Sequence, residues 1–193
     1  MPIEKEEITA VILAGGRGER MGGLDKGLLQ LDDKPLVQHV IDSLEPQVRN
    51  ILINANRHLE QYGRLGYPVV QDSFTGFAGP MAGIASALHA IATSYALIVP
   101  CDTPSLPADL VQRLMDAANA SNKQIAVAHN GEELQAAHML LPVSMKTGID
   151  SWLVSGRSSI RDWLMKHDFA LVDFSDQPQA FYDIDSPADI DAL

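Results

Sequence analysis

The chain has 193 residues, of which 46% are hydrophobic and 20% are charged, and its net charge is −11. This composition fits a single soluble domain over residues 1–193, and the acidic charge argues against a general nucleic-acid-binding protein. The sequence contains no run of 18 apolar residues that could cross a membrane, and its one cysteine, Cys101, excludes an internal disulfide, so we expect a cytoplasmic protein.

Short apolar runs alternate with helical periodicity through the first two thirds of the chain. Ile8 to Leu13 is predicted to be a buried strand, and Pro35 is predicted to open a helix as part of its first turn. Further predicted strands are Ile51 to Ile53, Val69-Val70, Ala96 to Val99 and Ile125 to Ala128, and further predicted helices are Met81 to Ile91 and Pro107 through Ala120. This alternation predicts parallel βαβ units with right-handed crossovers.

The pattern changes after residue 129. Asn130-Gly131 is typical of a hairpin turn, and a strand over Leu134 to Leu141 is predicted to follow it. Two helices, a strand over Ala170 to Phe174 and a helix started by Ser186-Pro187 complete the prediction. We therefore predict an α/β fold, Rossmann-like and doubly wound, whose mostly parallel sheet has helices on both faces. Residues 8–128 would form its nucleotide-binding half and residues 129–193 its acceptor-side half.

A glycine-rich loop with three cations follows the first predicted strand. It reads Leu13-Ala-Gly-Gly-Arg-Gly-Glu-Arg-Met-Gly-Gly-Leu-Asp-Lys26. Glycine lets backbone N–H groups approach an anion closely, and lysine and arginine neutralise its charge, so this loop predicts a phosphate site. The loop lacks the Gly-Lys-Ser/Thr ending of a Walker A motif, and Met21 stands where the dinucleotide fingerprint requires its third glycine.

Polar residues also follow three other predicted strands, namely Asn54, Asp72 and Asp102. Open α/β sheets bind ligands at the carboxyl ends of their strands, so these side chains and the glycine loop are expected to converge on one edge. Asp102 suits Mg²⁺, which prefers one or two carboxylates together with substrate phosphates and water. It could instead cap the helix predicted after Pro107.

The loop resembles the signature of the nucleotidyltransferase superfamily, and nearly the whole chain resembles the molybdenum cofactor guanylyltransferases. The motifs that carry the resemblance are Leu13-Ala-Gly-Gly16, Arg20-Met-Gly-Gly23, Asp25-Lys26, Lys34-Pro35-Leu36, Asn54-Ala-Asn-Arg57, Gln71-Asp72, Gly79-Pro-Met-Ala-Gly83, Cys101-Asp-Thr-Pro104, Val172-Asp-Phe-Ser-Asp176 and Phe181-Tyr-Asp-Ile-Asp-Ser-Pro187. The resemblance implies an enzyme of the nucleotidyltransferase type that transfers GMP from GTP to molybdopterin and releases pyrophosphate. Its implied requirements are Mg²⁺, GTP and molybdopterin, and its implied protein partners are apo-molybdoenzymes or their chaperones.

The resemblance also implies roles for individual residues. Lys26, Asp102 and Arg20 would be catalytic: Lys26 would hold phosphate, Asp102 would hold the metal, and Arg20 would contact the triphosphate or the acceptor phosphate. The residues implied to bind GTP are Leu13, Ala14, Gly15, Gly16, Lys26, Asn54, Asp72, Gly79, Gly83 and Asp102. Within that set, Gly79 and Gly83 would leave backbone room beside the ribose and the acceptor.

The chain departs from the family pattern at three places on the acceptor side. It reads Gln135-Ala-Ala-His138 where the family often has Gln-Pro-Leu-Phe, and Gly156-Arg-Ser-Ser159 where a basic pair is common. It also has Asp183 and Asp185 where many members have asparagine, and each of these could bind metal or only cap a helix. Of the six histidines, only His58 is expected near the site, and the role of His138 is left open.

Two other functions remain open at this point. One is a sister nucleotidyltransferase that uses CTP or another phosphate acceptor. The other is a non-catalytic chaperone that binds the cofactor for insertion into apo-enzymes, although the presence of Lys26 and Asp102 argues for catalysis.

Overall fold

A computed structural model describes residues 2–16, 24–74, 79–184 and 189. The strands are β1 (Ile8–Leu13), β2 (Gln30–Leu31), β3 (Lys34–Pro35), β4 (Asn50–Asn54), β5 (Val69–Val70), β6 (Tyr95–Pro100), β7 (Ile125–His129), β8 (Leu134–Pro142) and β9 (Phe169–Asp173). The helices are α1 (Leu36–Leu44), α2 (Leu59–Gly63), α3 (Pro80–Ala90), α4 (Leu110–Ser121), α5 (Lys146–Val154) and α6 (Ile160–Leu164). Within the described ranges, no helix is long and apolar enough to span a bilayer.

Seven of these strands form one sheet in the order β5-β4-β1-β6-β8-β7-β9, and β2 and β3 form a separate small ribbon. The strands β5, β4, β1 and β6 pair in parallel, as do β7 and β9. Only β8 runs antiparallel to its neighbours β6 and β7 in this sheet. The mostly parallel sheet predicted from the sequence is therefore confirmed.

The strand β1 is buried along its whole length because apolar residues pack against both faces of the sheet. Ala10 and Ile12 face a core formed with α1 and α4, whereas Val11 and Leu13 face a second core formed with α3, α5 and α6. Continuous apolar runs are typical of strands buried on both faces of a parallel sheet. This arrangement leaves the strand ends as the edge at which polar side chains can gather.

The predicted elements agree with the structure apart from their bounds. Most bounds differ by one residue, and the largest difference is at α4, which begins at Leu110 rather than at Pro107. The carbonyl of Pro107 accepts the Leu110 N–H at 3.2 Å, so Pro107 belongs to a turn that precedes the helix. The helix predicted after Ser186-Pro187 lies outside the described residues.

Candidate active site

The carboxyl ends of β1, β4 and β6 are joined by backbone hydrogen bonds that continue past the strands. The N–H of Ala14 donates to the Asn54 carbonyl at 2.8 Å, and the N–H of Cys101 donates to the Leu13 carbonyl at 3.1 Å. The predicted site residues Leu13, Ala14 and Gly15 thus leave the sheet between the end of β4 and the turn that carries Asp102.

An ion pair joins the glycine loop to the end of β6. The Lys26 Nζ lies 2.9 Å from Asp102 Oδ2, and the two side chains are 26% and 14% exposed. The two residues are 76 positions apart, so the fold brings together a cation and a carboxylate that the sequence separates widely. Their side chains are shielded enough for the charges to interact more strongly than on an open surface.

The turn that begins with Lys26 is held by a buried tyrosine. The Tyr62 hydroxyl donates to Asp25 Oδ1 at 2.6 Å, and both residues are buried. Burial raises the pKa of Tyr62, so its hydroxyl keeps the proton that it donates. A Cβ on Gly27 would lie 2.5 Å from that hydroxyl oxygen, so the close approach of the turn to Tyr62 requires glycine. Sequence reasoning missed Tyr62, because its position in a short helix gave no sign of this contact.

Asp72 is fixed by two asparagines at the end of β4. Its Oδ1 accepts from Asn54 Nδ2 at 2.9 Å, and its Oδ2 accepts from Asn56 Nδ2 at 2.8 Å. Asn56 Oδ1 in turn accepts the backbone N–H of Asp72 at 2.9 Å, and Asn56 Nδ2 also reaches the Gly15 carbonyl at 3.2 Å. The predicted residues Asn54, Asp72 and Gly15 are thus brought together. Asn56, which received no predicted role, connects them.

Gly83 fits against Asn54 rather than facing open space. A Cβ on Gly83 would lie 2.2 Å from Asn54 Oδ1 and 2.9 Å from its Cγ, and a Cβ on Gly15 would lie 3.0 Å from the same oxygen. Asn54 is itself only 2% exposed. The room that Gly83 leaves on this side is therefore taken up by the Asn54 side chain.

Arg57 links the two described ends of the glycine loop. Its Nη2 donates to the Gly16 carbonyl at 3.0 Å and to the Leu24 carbonyl at 3.4 Å. Both carbonyls adjoin residues 17–23, which lie outside the described residues together with the predicted Arg20. Arg57 also escaped prediction, although it completes the Asn54-Ala-Asn-Arg57 motif.

The remaining predicted residues lie around this centre. Gly79 precedes α3, and its φ of 139° favours glycine. A Cβ on Gly79 would lie 3.6 Å from the Ser158 Cβ. Ser158 belongs to the segment between α5 and α6, so that segment approaches the start of α3. Asp183 is exposed one residue before Ile184, whose N–H donates to the Asp102 carbonyl at 2.9 Å. Asp185 lies outside the described residues.

Histidine placement differs from the sequence expectation. His138 is buried and its Nε2 lies 3.1 Å from Oγ1 of Thr103, the residue after Asp102. The expectation that only His58 would lie near the site was therefore wrong. Cys101, predicted to be a small packing residue, is buried, and burial raises the pKa of its thiol well above the usual value.

The donor set bears on a metal ion. Among the described residues, no group of three or more histidine, cysteine, aspartate or glutamate side chains could hold a metal by itself. Asp102 offers hard carboxylate oxygens, whereas both oxygens of Asp72 are engaged by amides. This set suits Mg²⁺, which commonly binds one carboxylate and takes its other ligands from substrate phosphates and water.

Comparisons with known proteins agree on one family. Residues 10–170 match the MobA-like NTP transferase domain. A protein of Shewanella loihica named molybdenum cofactor guanylyltransferase is 45% identical over 181 residues, which cover 94% of this chain and 92% of that protein. A protein of the same name from Shewanella halifaxensis is 42% identical and covers 94% of this chain and 90% of its own length.

Solved structures share the fold at low sequence identity. Molybdopterin-guanine dinucleotide biosynthesis protein A from Archaeoglobus fulgidus superposes with a TM-score of 0.78 at 18% identity and covers 95% of both chains. The 2-C-methyl-D-erythritol 4-phosphate cytidylyltransferase from Thermus thermophilus gives a TM-score of 0.71 at 17% identity, over 100% of this chain and 96% of its own. At these identities the likeness concerns the fold alone.

Proposed function

Since the chain belongs to the family of molybdenum cofactor guanylyltransferases, with a MobA-like NTP transferase domain over most of its length, we propose that it transfers GMP from GTP to the phosphate of molybdopterin and releases pyrophosphate. The products are the guanine dinucleotide form of the cofactor and inorganic pyrophosphate. Nucleotide binding falls to residues 8–128 and acceptor binding to residues 129–193.

The observation that carries this proposal is the ion pair between Lys26 and Asp102 at the carboxyl edge of the sheet. The chain has a net charge of −11, so a triphosphate needs local cations to offset repulsion. Lys26 supplies such a charge beside a backbone rich in glycine, and Asp102 supplies a metal ligand next to it. A site that only stored a neutral ligand would have no need of this combination.

The nucleoside is assigned to the end of β4 and the start of the loop. The residues proposed to bind GTP are Leu13, Ala14, Gly15, Gly16, Asn54, Asp72, Gly79 and Gly83, together with Lys26 and Asp102. The Asp72 carboxylate is held in place by Asn54 and Asn56, so it is an acceptor prepared for N–H or hydroxyl donors of a nucleoside. Arg20 is proposed to contact phosphate on the grounds of its motif.

The reaction needs little proton transfer. An oxygen of the acceptor phosphate, already ionised at neutral pH, attacks the α-phosphorus of GTP and forms a new P–O bond. The bond from the α-phosphorus to the oxygen that bridges it to the β-phosphate breaks, and its electron pair leaves with pyrophosphate. Catalysis then consists of positioning the two phosphates and stabilising the charge that develops, which Lys26 and backbone N–H groups can do.

A divalent metal fits the same residues. When bound, Mg²⁺ would neutralise phosphate charge, and Asp102 is the residue proposed to hold it. In the absence of the metal, Lys26 balances the Asp102 charge, so the carboxylate is kept at the site by its ion pair.

The test is GMP transfer by the purified chain. GTP, molybdopterin and Mg²⁺ are expected to yield pyrophosphate and a product heavier by GMP, measured by a coupled assay and by mass spectrometry. Asp102→Asn is expected to lower kcat about 100-fold or more, on the scale of losing one key electrostatic group. Asp42→Asn is the matched control, because Asp42 forms an exposed ion pair on α1. Equal turnover of CTP would contradict the choice of nucleotide, and GTP binding without pyrophosphate release would favour the cofactor-binding chaperone.

Apo-molybdoenzymes or their chaperones as partners, and a cytoplasmic location, remain predictions from the sequence. The partners follow from the chemistry of the product, which has to be passed to an enzyme that uses it.

A further inference from the structure

His138 is a buried titratable group close to the site. It is 1% exposed, and its Nε2 lies 3.1 Å from Oγ1 of Thr103, which is fully buried. Thr103 directly follows Asp102 in the turn that ends β6. The histidine therefore contacts the neighbour of the proposed metal ligand and not the ligand itself.

The hydrogen-bond partners favour one position for the ring proton. The Thr103 hydroxyl has one hydrogen, and the Pro100 carbonyl at 3.4 Å can only accept it. His138 Nε2 then donates to Thr103 Oγ1, and Nδ1 is left as a bare acceptor. Nδ1 has no hydrogen-bond partner among the described residues, and a buried acceptor without a partner costs less than a buried N–H without one. Burial lowers the pKa of His138 to about 3, so the ring is neutral at physiological pH.

A bulge in β8 brings His138 to this position. Val127 of β7 is opposite Met139, but the next residue, Ala128, is opposite Gln135, so residues 136–138 have no counterpart in β7. The pairing of β8 with β6 also stops at Met139. Bulges are common next to active sites because they redirect a side chain that regular pairing would place elsewhere. Here the bulge coincides with the Gln135-Ala-Ala-His138 segment.

The segment that contains Phe181 and Ile184 also contacts this turn and His138. The N–H of Ile184 donates to the Asp102 carbonyl at 2.9 Å. The Phe181 ring meets the His138 ring edge to face, with centroids 5.0 Å apart. His138 therefore contacts both Thr103, the residue after Asp102, and the segment whose Ile184 N–H donates to the Asp102 carbonyl.

We infer that His138 is a positioning residue which, through its Nε2–H bond to Thr103, fixes the Asp102 turn so that the Asp102 carboxylate stays beside Lys26. This inference rests on the catalytic role proposed for Asp102. It assigns a function to His138 in the Gln135-Ala-Ala-His138 segment, and it gives Thr103 a role that depends on its hydroxyl group.

The first test compares two substitutions of His138. His138→Leu removes the donor at similar volume, whereas His138→Gln keeps an amide N–H that can reach Thr103. We expect His138→Leu to lower kcat about 10- to 100-fold, the effect typical of lost outer partners of a ligand, with the KM for GTP within about twofold of the wild type. His138→Gln is expected to recover most of the loss. His167→Leu is the matched control, because the His167 ring also makes one hydrogen bond, to the Trp163 carbonyl, and also contacts an aromatic ring, but it lies before β9 at the opposite edge of the sheet.

Thr103 keeps the test decisive if His138→Leu fails to fold. Thr103→Val removes the hydroxyl at constant size and Thr103→Ser keeps it, so Val is expected to lose kcat as His138→Leu does and Ser to retain it. The double variant of His138→Leu and Thr103→Val is expected to be no slower than the slower single variant, since both remove one contact. Losses that multiply in the double variant would overturn the inference.

A readout independent of turnover is the tautomer of the ring. Nitrogen-15 NMR of labelled histidine in the free protein at pH 7 is expected to show a neutral ring protonated on Nε2, and Thr103→Val is expected to shift that signal. A ring protonated on Nδ1 would overturn the inference, as would a folded His138→Leu protein with wild-type kcat. Failure of the wild type to transfer GMP would instead count against the proposed function, so the two failures can be told apart.

Discussion

Lys26 and Asp102 show at the scale of single residues how the site separates binding from stability. Lys26 is about one quarter exposed and contacts Asp102 at the mouth of the site. The turn below it is held by Asp25, Gly27 and Tyr62, none of which depends on the lysine side chain. The backbone of Lys26 is therefore fixed by its neighbours, while its side chain places a positive charge beside Asp102.

Lys26→Ala is expected to lower kcat/KM for GTP about 100-fold or more while it destabilises the fold by only about 1 kcal/mol. Lys26 is about one quarter exposed and its turn is held by neighbouring residues, so loss of its side chain costs the fold little, whereas a triphosphate would meet Asp102 without a neutralising charge. Lys26→Arg is expected to restore activity only in part, because a planar guanidinium does not replace a compact ammonium.

Steady-state kinetics and thermal melting of the same preparations measure both quantities. Lys123→Ala is the control, since Lys123 bonds the Phe169 carbonyl at the opposite edge of the sheet. Normal activity in Lys26→Ala, or a loss explained by unfolding, would contradict a phosphate role for this lysine.

Gly83 gives the second prediction at the residue scale. A methyl group there would overlap Asn54 Oδ1, which has no room to move because Asn54 is buried. Gly83→Ala is expected to break the Asn54–Asp72 hydrogen bond and to raise the KM for GTP about tenfold, the equivalent of about 1.4 kcal/mol.

Gly148→Ala is the matched control for Gly83→Ala, since Gly148 also lies in a helix, but nothing lies within 4 Å of its Cβ position. It is expected to leave the KM unchanged and to stabilise the fold by about 0.5–1 kcal/mol. A folded Gly83→Ala protein with the KM of the wild type would show that Asn54 does not contribute to nucleotide binding.

At the scale of elements, the first turn of α4 depends on a side chain from the turn that follows α1. Asp109 makes no side-chain cap hydrogen bond, and the Val111 N–H instead donates to Oε1 of Gln47, at 3.0 Å. Gln47 follows α1, is buried, and also donates to the Pro107 carbonyl at 2.9 Å. Gln47 thus joins the end of α1 to the start of α4.

Gln47→Leu is expected to lower the free energy of unfolding by about 1–3 kcal/mol, because it leaves the buried Val111 N–H without a partner and removes one of two donors to the Pro107 carbonyl. Denaturant titration measures this loss, and the KM for GTP should not change. The control Gln112→Leu removes an exposed contact with Asp116 and should change stability by no more than about 0.5 kcal/mol. Equal stability of Gln47→Leu and the wild type would show that water replaces this cap.

Gln47, which contacts residues far from it in the sequence, also illustrates why the sequence could predict some features of the fold and not others. Hydrophobic periodicity located the strands and helices, because burial on one or both faces repeats along the chain. The start of α4 was misplaced because proline favours a first helical turn, whereas the actual start is set by Gln47 from another element. The bulge that carries His138 was also beyond prediction, since register in β8 depends on β6 and β7 together.

The residues of the site also fall into two groups, those that the sequence pattern predicted and those that only the structure shows. Glycine, lysine and the polar residues after strands pointed to Lys26, Asn54, Asp72 and Asp102, because strand ends of a parallel sheet meet at one edge. Residues that act by supporting these groups gave no such sign. Tyr62 and His138 were recognised only from their hydrogen bonds, and Asn56 only from its double contact with Asp72.

For the whole molecule, burial of His138 makes stability depend on pH. The folded ring takes up its proton only near pH 3, whereas a histidine in the unfolded chain does so near pH 6.5. The unfolded state therefore binds more protons below pH 6.5, and stability is lost as the pH falls through this window. Between pH 6.5 and pH 5 this one group should cost the fold about 1.5 kcal/mol.

Denaturant titrations at pH 6.5 and pH 5 check this expectation. His138→Gln has no proton to bind, so the loss between the two pH values should be smaller than in the wild type by about that amount. Equal losses in the two proteins would show that the His138 ring titrates in the folded state much as it does in the unfolded chain.

The position of β8 has a consequence for synthesis of the chain. β6 pairs with β1 on one side and with β8 on the other, and β8 also separates β6 from β7. In a nascent chain that has emerged only as far as β7, β6 is therefore paired with β1 on one side and has an exposed backbone on the other. Such an open, apolar edge can pair with other chains. The edge of β6 is covered only after Leu134–Pro142 has been synthesised. Translational pauses before this strand are therefore expected to prolong a stage at which the chain is prone to aggregate.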